Sequence, residues 1–169
     1  MGYRVGVGYD VHRLKEGRPL VLGCFEIPGF PGPLGFSDGD PLAHAVADAL
    51  LGALGAGDIG DRFPPGDPHW AGCPSKRLLE EVIKEVERRG WSIANVDTTV
   101  FLESPRLGPY KDSIRRSLAE ALRIDDGRVS IKARSTEGFG PVGCGNAVAA
   151  AATVLLEKRL TARGERKSK

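Results

Sequence analysis

The chain has 169 residues, with 24 lysines and arginines against 22 aspartates and glutamates, and a formal net charge of +2. This length predicts one domain with a single sizeable hydrophobic core. No stretch approaches the roughly 20 apolar residues of a membrane span, and the N-terminus lacks a secretory apolar segment. These features argue against a membrane protein and predict a cytoplasmic location, or a plastid-like reducing compartment.

The cysteines and the distribution of charge further restrict the class of protein to which the chain can belong. Cys24, Cys73 and Cys144 are odd in number and lack the spacing of a disulfide framework or a zinc knuckle, which predicts reduced thiols. Six lysines or arginines and two glutamates fall from residue 157 onward, so the preceding body carries about −2. We interpret residues 1–160 as one domain and 161–169 as a basic, disordered tail; without aromatic side chains, this tail does not indicate nucleic-acid binding.

The N-terminal segment has the pattern of a strand. Apolar side chains alternate over residues 3–11, and Gly6 and Gly8 lie between them. Glycines in such a strand predict that another element approaches its backbone closely. Only a fragment of a glycine-rich dinucleotide motif is present, so we exclude a Rossmann-type site.

Helices with recognisable ends follow. Asp40 and Pro41 are a typical N-cap and first helical residue, and predict a helix to about Leu54. Residues 58–69 are rich in helix breakers and predict a long loop, in which His69 is exposed. The other predicted elements are helices at 76–89 (capped by Ser75), about 110–122 and 146 to about 159, and strands at 20–22, 25–27, 98–102 and 129–133. This order predicts an α/β (α+β) fold, a mixed sheet with helices packed on one face.

Asp10, His12 and His44 are candidate metal ligands. Two-residue spacing on a strand directs Asp10 and His12 to the same face, and His44 lies in the first turn of the helix that begins near Pro41. Two imidazoles and one carboxylate suit a zinc-like ion with an open fourth position. Asp48, one helical turn after His44, is placed to orient its ring. The alternative is that these are unconnected polar residues at element ends.

The segment Arg134-Ser135-Thr136-Glu137 is a candidate anion site. Its hydroxyl and backbone groups can donate hydrogen bonds to an anion, and its carboxylate suits Mg²⁺. A capped turn before a glycine-rich loop explains the same residues equally well. Because the chain has no P-loop and no Ser-His-Asp motif, its residues favour metal-assisted phosphate chemistry over acyl transfer.

Several motifs occur together in the order and spacing of one known family. They are Gly8-Tyr9-Asp10-Val11-His12, Ser37-Asp38-Gly39-Asp40, His44 with Ala47-Asp48-Ala49-Leu50-Leu51-Gly52-Ala53, Gly57-Asp58-Ile59-Gly60 with Phe63-Pro64, Asn95-Val96-Asp97, Ser104-Pro105, and Lys132-Ala133 through Ser135-Thr136-Glu137. Over residues 1 to about 160, this set resembles the 2-C-methyl-D-erythritol 2,4-cyclodiphosphate synthase family. Each motif alone is weak, but the ordered set is specific.

The resemblance implies a trimer-forming fold with active sites between adjacent subunits of a homotrimer. It implies a phosphorus–oxygen lyase of non-mevalonate isoprenoid precursor synthesis, with a small-molecule cytidine diphosphate substrate. The composition separately predicts neither nucleic acid nor membrane as a partner. The 2-phosphate of 4-diphosphocytidyl-2-C-methyl-D-erythritol 2-phosphate would attack the β-phosphate, so that CMP leaves and a cyclic diphosphate forms.

The resemblance also implies site residues. Asp10, His12 and His44 would hold Zn²⁺ or another divalent transition metal, and Glu137 would help to hold Mg²⁺ or Mn²⁺. Ser135 stands where the family has a threonine that steadies the transition state. The substrate-binding residues would be Ser37, Asp58, Ile59, Gly60, Phe63, Asp67, Arg134 and Thr136. The cytidine pocket would be formed by Leu102, Glu103, Ser104, Pro105, Arg106, Leu107 and Gly108.

Four positions depart from the family pattern. Phe36 replaces a histidine near the reacting phosphate, Pro65 an acid, Arg106 a lysine, and Cys144 an arginine near the central cavity of the trimer. The loss of one preorganised hydrogen-bond donor can cost about 10²–10³ in rate. Phe36 and Cys144 therefore leave open a catalytically weak or inactive trimeric homologue that binds metal and cytidine nucleotide. A metallohydrolase is a further alternative, which fits the metal triad but leaves the other motifs unexplained.

Overall fold

A five-stranded sheet forms the centre of the protein, as seen in a computed structural model that describes residues 2–159. The tail predicted at residues 161–169 lies outside the described residues. The strands are β1 (Tyr3–Lys15), β2 (Leu20–Leu22), β3 (Phe25–Ile27), β4 (Gly32–Pro33), β5 (Trp91–Phe101), β6 (Val129–Arg134) and β7 (Ala147–Lys158). The helices are α1 (Pro41–Leu54), α2 (Ile59–Arg62), α3 (Ser75–Arg88), α4 (Lys111–Leu122) and α5 (Gly140–Gly143).

The sheet is mixed, as the sequence predicts. Its strand order is β4-β1-β7-β5-β6, and β2 and β3 form a separate hairpin. The pairs β1–β4, β1–β7 and β5–β7 are antiparallel, whereas β5 and β6 run parallel with α4 between them in the chain. Because β5 and β6 are parallel, their carboxyl ends meet at one edge of the sheet, where the segments after Phe101 and Arg134 begin.

The two faces of the sheet differ in burial. On the face that packs against helices, Gly8, Ala152, Thr98 and Ile131 follow one another across the strands, and all four are buried. On the opposite face, β1 exposes the side chains of Tyr3, Val5, Val7, Tyr9 and Val11. Helix packing therefore covers one face, as predicted, and leaves an apolar stripe on the other.

Gly6 and Gly8 let α1 lie directly on β1. A β-carbon added at Gly8 would overlap the backbone carbonyl oxygen of Ala45, and one at Gly6 would overlap that of Ala49. The predicted close approach is confirmed, and the approaching element is the helix that holds His44.

We expect Gly8→Ala to lower the free energy of unfolding by about 3 kcal/mol, because backbone atoms cannot yield as a flexible side chain does and α1 must move away from β1. Gly52→Ala is the matched control on the same helix: its β-carbon would lie 4.0 Å from the nearest atom outside the helix, the Val7 carbonyl oxygen. The control should be as stable as the parent or up to about 1 kcal/mol more stable. Urea titration measures both variants; equal midpoints for Gly8→Ala and the parent would contradict the packing argument.

The prediction of a final helix at 146 to about 159 was wrong. This segment is β7, the central strand, paired with β1 on one side and β5 on the other. Its buried residues Val148, Ala150, Ala152, Val154 and Leu156 alternate with the period of a strand. Alanine favours helices, but here two-sided strand pairing and contact with α1 override that preference, since small side chains admit the helix.

Other predicted elements differ only in detail. The strand predicted at 3–11 extends to Lys15, and the strand predicted at 98–102 begins at Trp91 and ends at Phe101. The predicted loop at 58–69 contains α2 and a 3₁₀ turn at Pro68–Trp70. Ser75 is the first residue of α3 and Pro74 is its N-cap, so Ser75 does not cap this helix. Cys24, Cys73 and Cys144 are free thiols, as predicted. Among residues 2–159, no helix is long and apolar enough to cross a membrane.

Candidate active site

Asp10, His12 and His44 converge where β1 and the first turn of α1 meet. Oδ2 of Asp10 lies 2.8 Å from Nε2 of His12 and 2.9 Å from Nδ1 of His44. The two ring nitrogens are 3.3 Å apart, and one ligand atom from each residue fits within 4.8 Å of the others. The candidate ligands predicted from the sequence are therefore one cluster that can hold a divalent metal ion.

Each histidine ring has a hydrogen-bond partner at the nitrogen that faces away from Asp10, so the other ring nitrogen can turn its lone pair toward the cluster. Nδ1 of His12 lies 2.8 Å from the carbonyl oxygen of Leu34, which only accepts hydrogen bonds, so this nitrogen is the donor. In the neutral ring, Nε2 of His12 then carries the lone pair and faces Asp10 and His44; a second proton at Nε2 would be donated to Asp10. Nε2 of His44 lies 3.1 Å from the hydroxyl oxygen of Ser37, which leaves Nδ1 toward Asp10.

The electrostatics of the cluster favour the ionised form of Asp10 beside the two imidazoles. Burial alone would raise the pKa of Asp10, but hydrogen bonds and charge from His12 and His44 lower it well below its usual range. Burial also opposes charge on His12, yet its hydrogen bond to Asp10 raises the pKa of the imidazole above its ordinary value. Asp10 is therefore an anion over the physiological range and attracts positive charge to the cluster.

Asp40 fixes the place where α1 begins. Its carboxylate accepts hydrogen bonds from the backbone N–H groups of Leu42 and Ala43, and Pro41 occupies the first helical position. The same buried carboxylate also accepts from Gly23 and Cys24 in the β2–β3 hairpin. Asp40 thus ties the hairpin to the helix start and places His44 opposite β1.

A half-open cavity of about 260 Å³ adjoins the cluster. It is lined by His12, Phe36, Ser37, His44, Ile59, Gly60, Phe63, Pro65, Trp70 and Leu78. Phe36 is 44% exposed, and the Phe63 and Trp70 rings pack edge to face with centroids 4.7 Å apart. Most of the lining was predicted; Pro65, Trp70 and Leu78 were not among the predicted site residues, although an aromatic residue in the polar segment before α3 was a usable signal for Trp70.

The predicted residues of the 102–108 and 134–137 segments form a second group, which follows the carboxyl ends of β5 and β6. The backbone N–H of Leu102 donates to the carbonyl oxygen of Arg134 at 3.0 Å, which joins the 102–108 and 134–137 segments. The Ser135 hydroxyl donates to the Glu137 carboxylate at 2.6 Å. One carboxylate oxygen of Glu103 is buried and has no hydrogen-bond partner among residues 2–159. Neither segment lines the 260 Å³ cavity.

Three predicted residues have local partners that define their positions. Asp67 accepts a hydrogen bond from the His69 backbone N–H and starts the 3₁₀ turn, and it does not line the cavity. Asp58 is the N-cap of α2. The prediction that Asp48 orients His44 was wrong: its carboxylate accepts from the Ile59 backbone N–H at 2.7 Å, because the loop before α2 folds back over that turn of α1.

Comparison with known proteins agrees with this geometry. The model of the YgbB family matches residues 3–157. A 2-C-methyl-D-erythritol 2,4-cyclodiphosphate synthase of Gloeobacter violaceus is 54% identical over 155 residues, which are 92% of this chain and 95% of the relative. A CDP-bound structure of such a synthase shares 41% identity with a TM-score of 0.84, covering 91% of this chain and all of the other.

A larger protein contains the same fold. The structure of the bifunctional IspDF of Campylobacter jejuni matches with a TM-score of 0.89 and 36% identity, over 93% of this chain and 42% of that one. The family match spans nearly all of residues 2–159 and includes both groups of site residues. The chain therefore belongs to the YgbB family, whose named relatives are 2-C-methyl-D-erythritol 2,4-cyclodiphosphate synthases.

Proposed function

We propose that this protein converts 4-diphosphocytidyl-2-C-methyl-D-erythritol 2-phosphate into 2-C-methyl-D-erythritol 2,4-cyclodiphosphate and CMP, as a phosphorus–oxygen lyase. The observation that carries the proposal is the convergence of Asp10, His12 and His44 beside a cavity, in a chain 54% identical to a synthase of that name. The product would serve non-mevalonate isoprenoid precursor synthesis. A cytoplasmic setting stays a prediction from the sequence.

Two divalent ions fit the donors present. Asp10, His12 and His44 would hold Zn²⁺, because two imidazole nitrogens and one carboxylate oxygen are a typical catalytic zinc set. Glu137 would hold Mg²⁺ or Mn²⁺, for which an oxygen donor is suited. When bound, the ions would supply positive charge beside the phosphate oxygens.

The substrate explains why no general base is needed. The attacking group is a phosphate that is already anionic and belongs to the same molecule, so positioning and charge neutralisation can supply most of the acceleration. Arg134 and the Ser135 hydroxyl would donate to the phosphates, and the start of α2 at 58–60 would hold the erythritol hydroxyls. The 102–108 segment would hold the cytosine and the ribose, mostly through its backbone groups.

We propose that a homotrimer joins the two groups of site residues. Val11, Ala149, Phe101 and Arg134 are neighbours in register across four strands, so the metal cluster and the 134–137 segment of one chain lie about 14 Å apart along the sheet. That distance is long for one diphosphate. A neighbouring subunit would bring its 102–108 and 134–137 segments to the cluster and supply a partner for the buried oxygen of Glu103.

The contact surface would be the exposed stripe of β1, formed by Tyr3, Val5, Val7, Tyr9 and Val11, whose exposures range from 50% to 70%. Apolar stripes of this kind are typical of protein–protein contacts. We expect Val7→Lys, at the most exposed position of the stripe, to change a trimer into monomers and to abolish the reaction. Light scattering measures the mass; Ser117→Lys on α4 is the control and should stay trimeric. A parent monomer, or a trimeric Val7→Lys variant, would contradict this contact.

One observation favours a second candidate, a weak or inactive homologue that binds metal and cytidine nucleotide. Phe36 lines the cavity where the family has a histidine, and its ring cannot donate a hydrogen bond to a phosphate. The exposed Cys144 likewise replaces a charged residue. This candidate predicts nucleotide binding without a cyclic product.

Phosphorus NMR of a reaction mixture containing the protein, the cytidyl substrate, Zn²⁺ and Mg²⁺ distinguishes the candidates. Resonances of CMP and a cyclic diphosphate are the expected result. CMP with a linear product would indicate hydrolysis, and an unchanged substrate that still binds would indicate the inactive homologue. A reaction without added metal, in the presence of a chelator, is the blank.

A further inference from the structure

We propose that Ser75 and Asp38, to which the family resemblance gives no role, are positioning residues that orient the metal ligand His44. Their effect on metal affinity is independent of the reaction, and only its consequence for catalysis rests on the proposed function. The hydroxyl oxygen of Ser75 lies 3.4 Å from Nε2 of His44, and the same hydroxyl lies 2.5 Å from the carboxylate of Asp38. Asp38, Ser75 and His44 thus form a series of hydrogen-bonded side chains that leads to the metal cluster.

The direction of the hydrogen bonds in this series is fixed by Asp38. Its carboxylate receives the backbone N–H groups of Ser75 at 2.7 Å and Asp40 at 3.2 Å, together with the Ser75 hydroxyl. A carboxylate only accepts, so the Ser75 hydroxyl donates its proton to Asp38 and turns its lone pairs toward His44. Those lone pairs can only be matched by an N–H at Nε2. In the neutral ring, which is the form that binds a metal, the lone pair is then at Nδ1, the atom that faces Asp10.

Burial makes this arrangement effective. The residues Ser75 and His44 are 1% and 9% exposed, so water does not compete readily for either group. Ser37 approaches the same ring nitrogen at 3.1 Å, but Ser37 also lines the cavity, whereas Ser75 does not. When the Ser37 hydroxyl forms a hydrogen bond with a substrate phosphate, the Ser75 hydroxyl still accepts a hydrogen bond from His44.

A purely structural role for the pair is the competing explanation. Asp38 receives the first N–H of α3 and so satisfies a donor at the helix end, as a cap would. Ser75→Ala separates the two roles, because it keeps that backbone bond and removes only the hydroxyl. A structural role would change stability alone, whereas a positioning role changes metal affinity and the state of the His44 ring.

The test is Zn²⁺ affinity, measured by competition with a chromogenic chelator. We expect Ser75→Ala to bind Zn²⁺ about 10–100-fold more weakly than the parent, the usual cost of losing a group that orients a ligand. Ser117→Ala on α4 is the matched control and should bind as the parent does. Ser75→Thr keeps the hydroxyl and should restore the affinity; urea titration confirms that each compared variant is folded.

A second readout follows the ring itself. The chain has only three histidines, so ¹⁵N-histidine labelling of the Zn²⁺-loaded protein gives few ring signals. The Nε2–H resonance of His44 should shift in Ser75→Ala and stay unchanged in Ser117→Ala. If Ser75→Ala binds Zn²⁺ as the parent does and the resonance does not move, the proposal is wrong, whatever the enzyme activity. A parent that binds Zn²⁺ and makes no cyclic product overturns the proposed function instead.

Discussion

Replacing His44 with alanine is expected to remove the bound transition metal and to lower activity by at least about 10³-fold. His44 is one of the three candidate ligands, and the charge that an ion held there would place at the phosphate corresponds to several kcal/mol of transition-state stabilisation. Metal content by mass spectrometry should fall from about one ion per chain, the stoichiometry of a single three-ligand site, to near zero. Rates of CMP release measure the activity.

His69→Ala is the matched control, since His69 is exposed and its ring contacts Arg77 and the edge of Trp70 rather than the cluster. It should keep both the metal and the activity. A His44→Ala protein with full metal content and parent-like turnover would show that the cluster neither binds the metal nor takes part in the reaction. Loss of metal with turnover retained would leave a metal site that has no part in the chemistry.

Introducing histidine at position 36 is expected to raise kcat by about 10²–10³-fold, the usual value of one preorganised donor at a developing charge. Phe36 lines the cavity beside His12 and His44 and is 44% exposed, so a histidine fits there without repacking the core. Steady-state kinetics on Phe36→His and the parent measure the gain.

Phe36→Leu is the control because it changes the shape of the apolar group without adding a donor. Its kcat should stay close to that of the parent. A Phe36→His variant no faster than the parent would mean that another group already serves the phosphate. A gain in both variants would mean that the phenyl ring is merely an obstruction.

The local sequence pattern predicted those parts of the candidate site that lie on a single strand or helix. Alternation along residues 3–11 gave β1 and placed Asp10 and His12 on one face, and Asp40 with Pro41 marked the start of α1. The glycines of β1 predicted a close neighbour. Their partner could not be identified from the strand alone, because the approach of α1 depends on tertiary packing.

The failures have a common physical origin. The segment after Asn146 is rich in alanine and favours a helix by propensity, but strand pairing on both sides decides its structure. Asp48 sits at helical spacing from His44 but bonds to Ile59, and Ser75 lies far from His44 in sequence but beside it in space. Contacts between distant segments decided each of these cases, and the proposed trimer would depend on a further chain.

Mass spectrometry of products formed in H₂¹⁸O tests the central claim most directly. If the 2-phosphate of the substrate is the attacking group, water takes no part, and both CMP and the cyclic diphosphate carry no ¹⁸O. This result is expected with Zn²⁺ and Mg²⁺ present. An ¹⁸O atom in CMP or in a linear phosphate product would show that water attacks instead, and would contradict a cyclisation built on Asp10, His12 and His44.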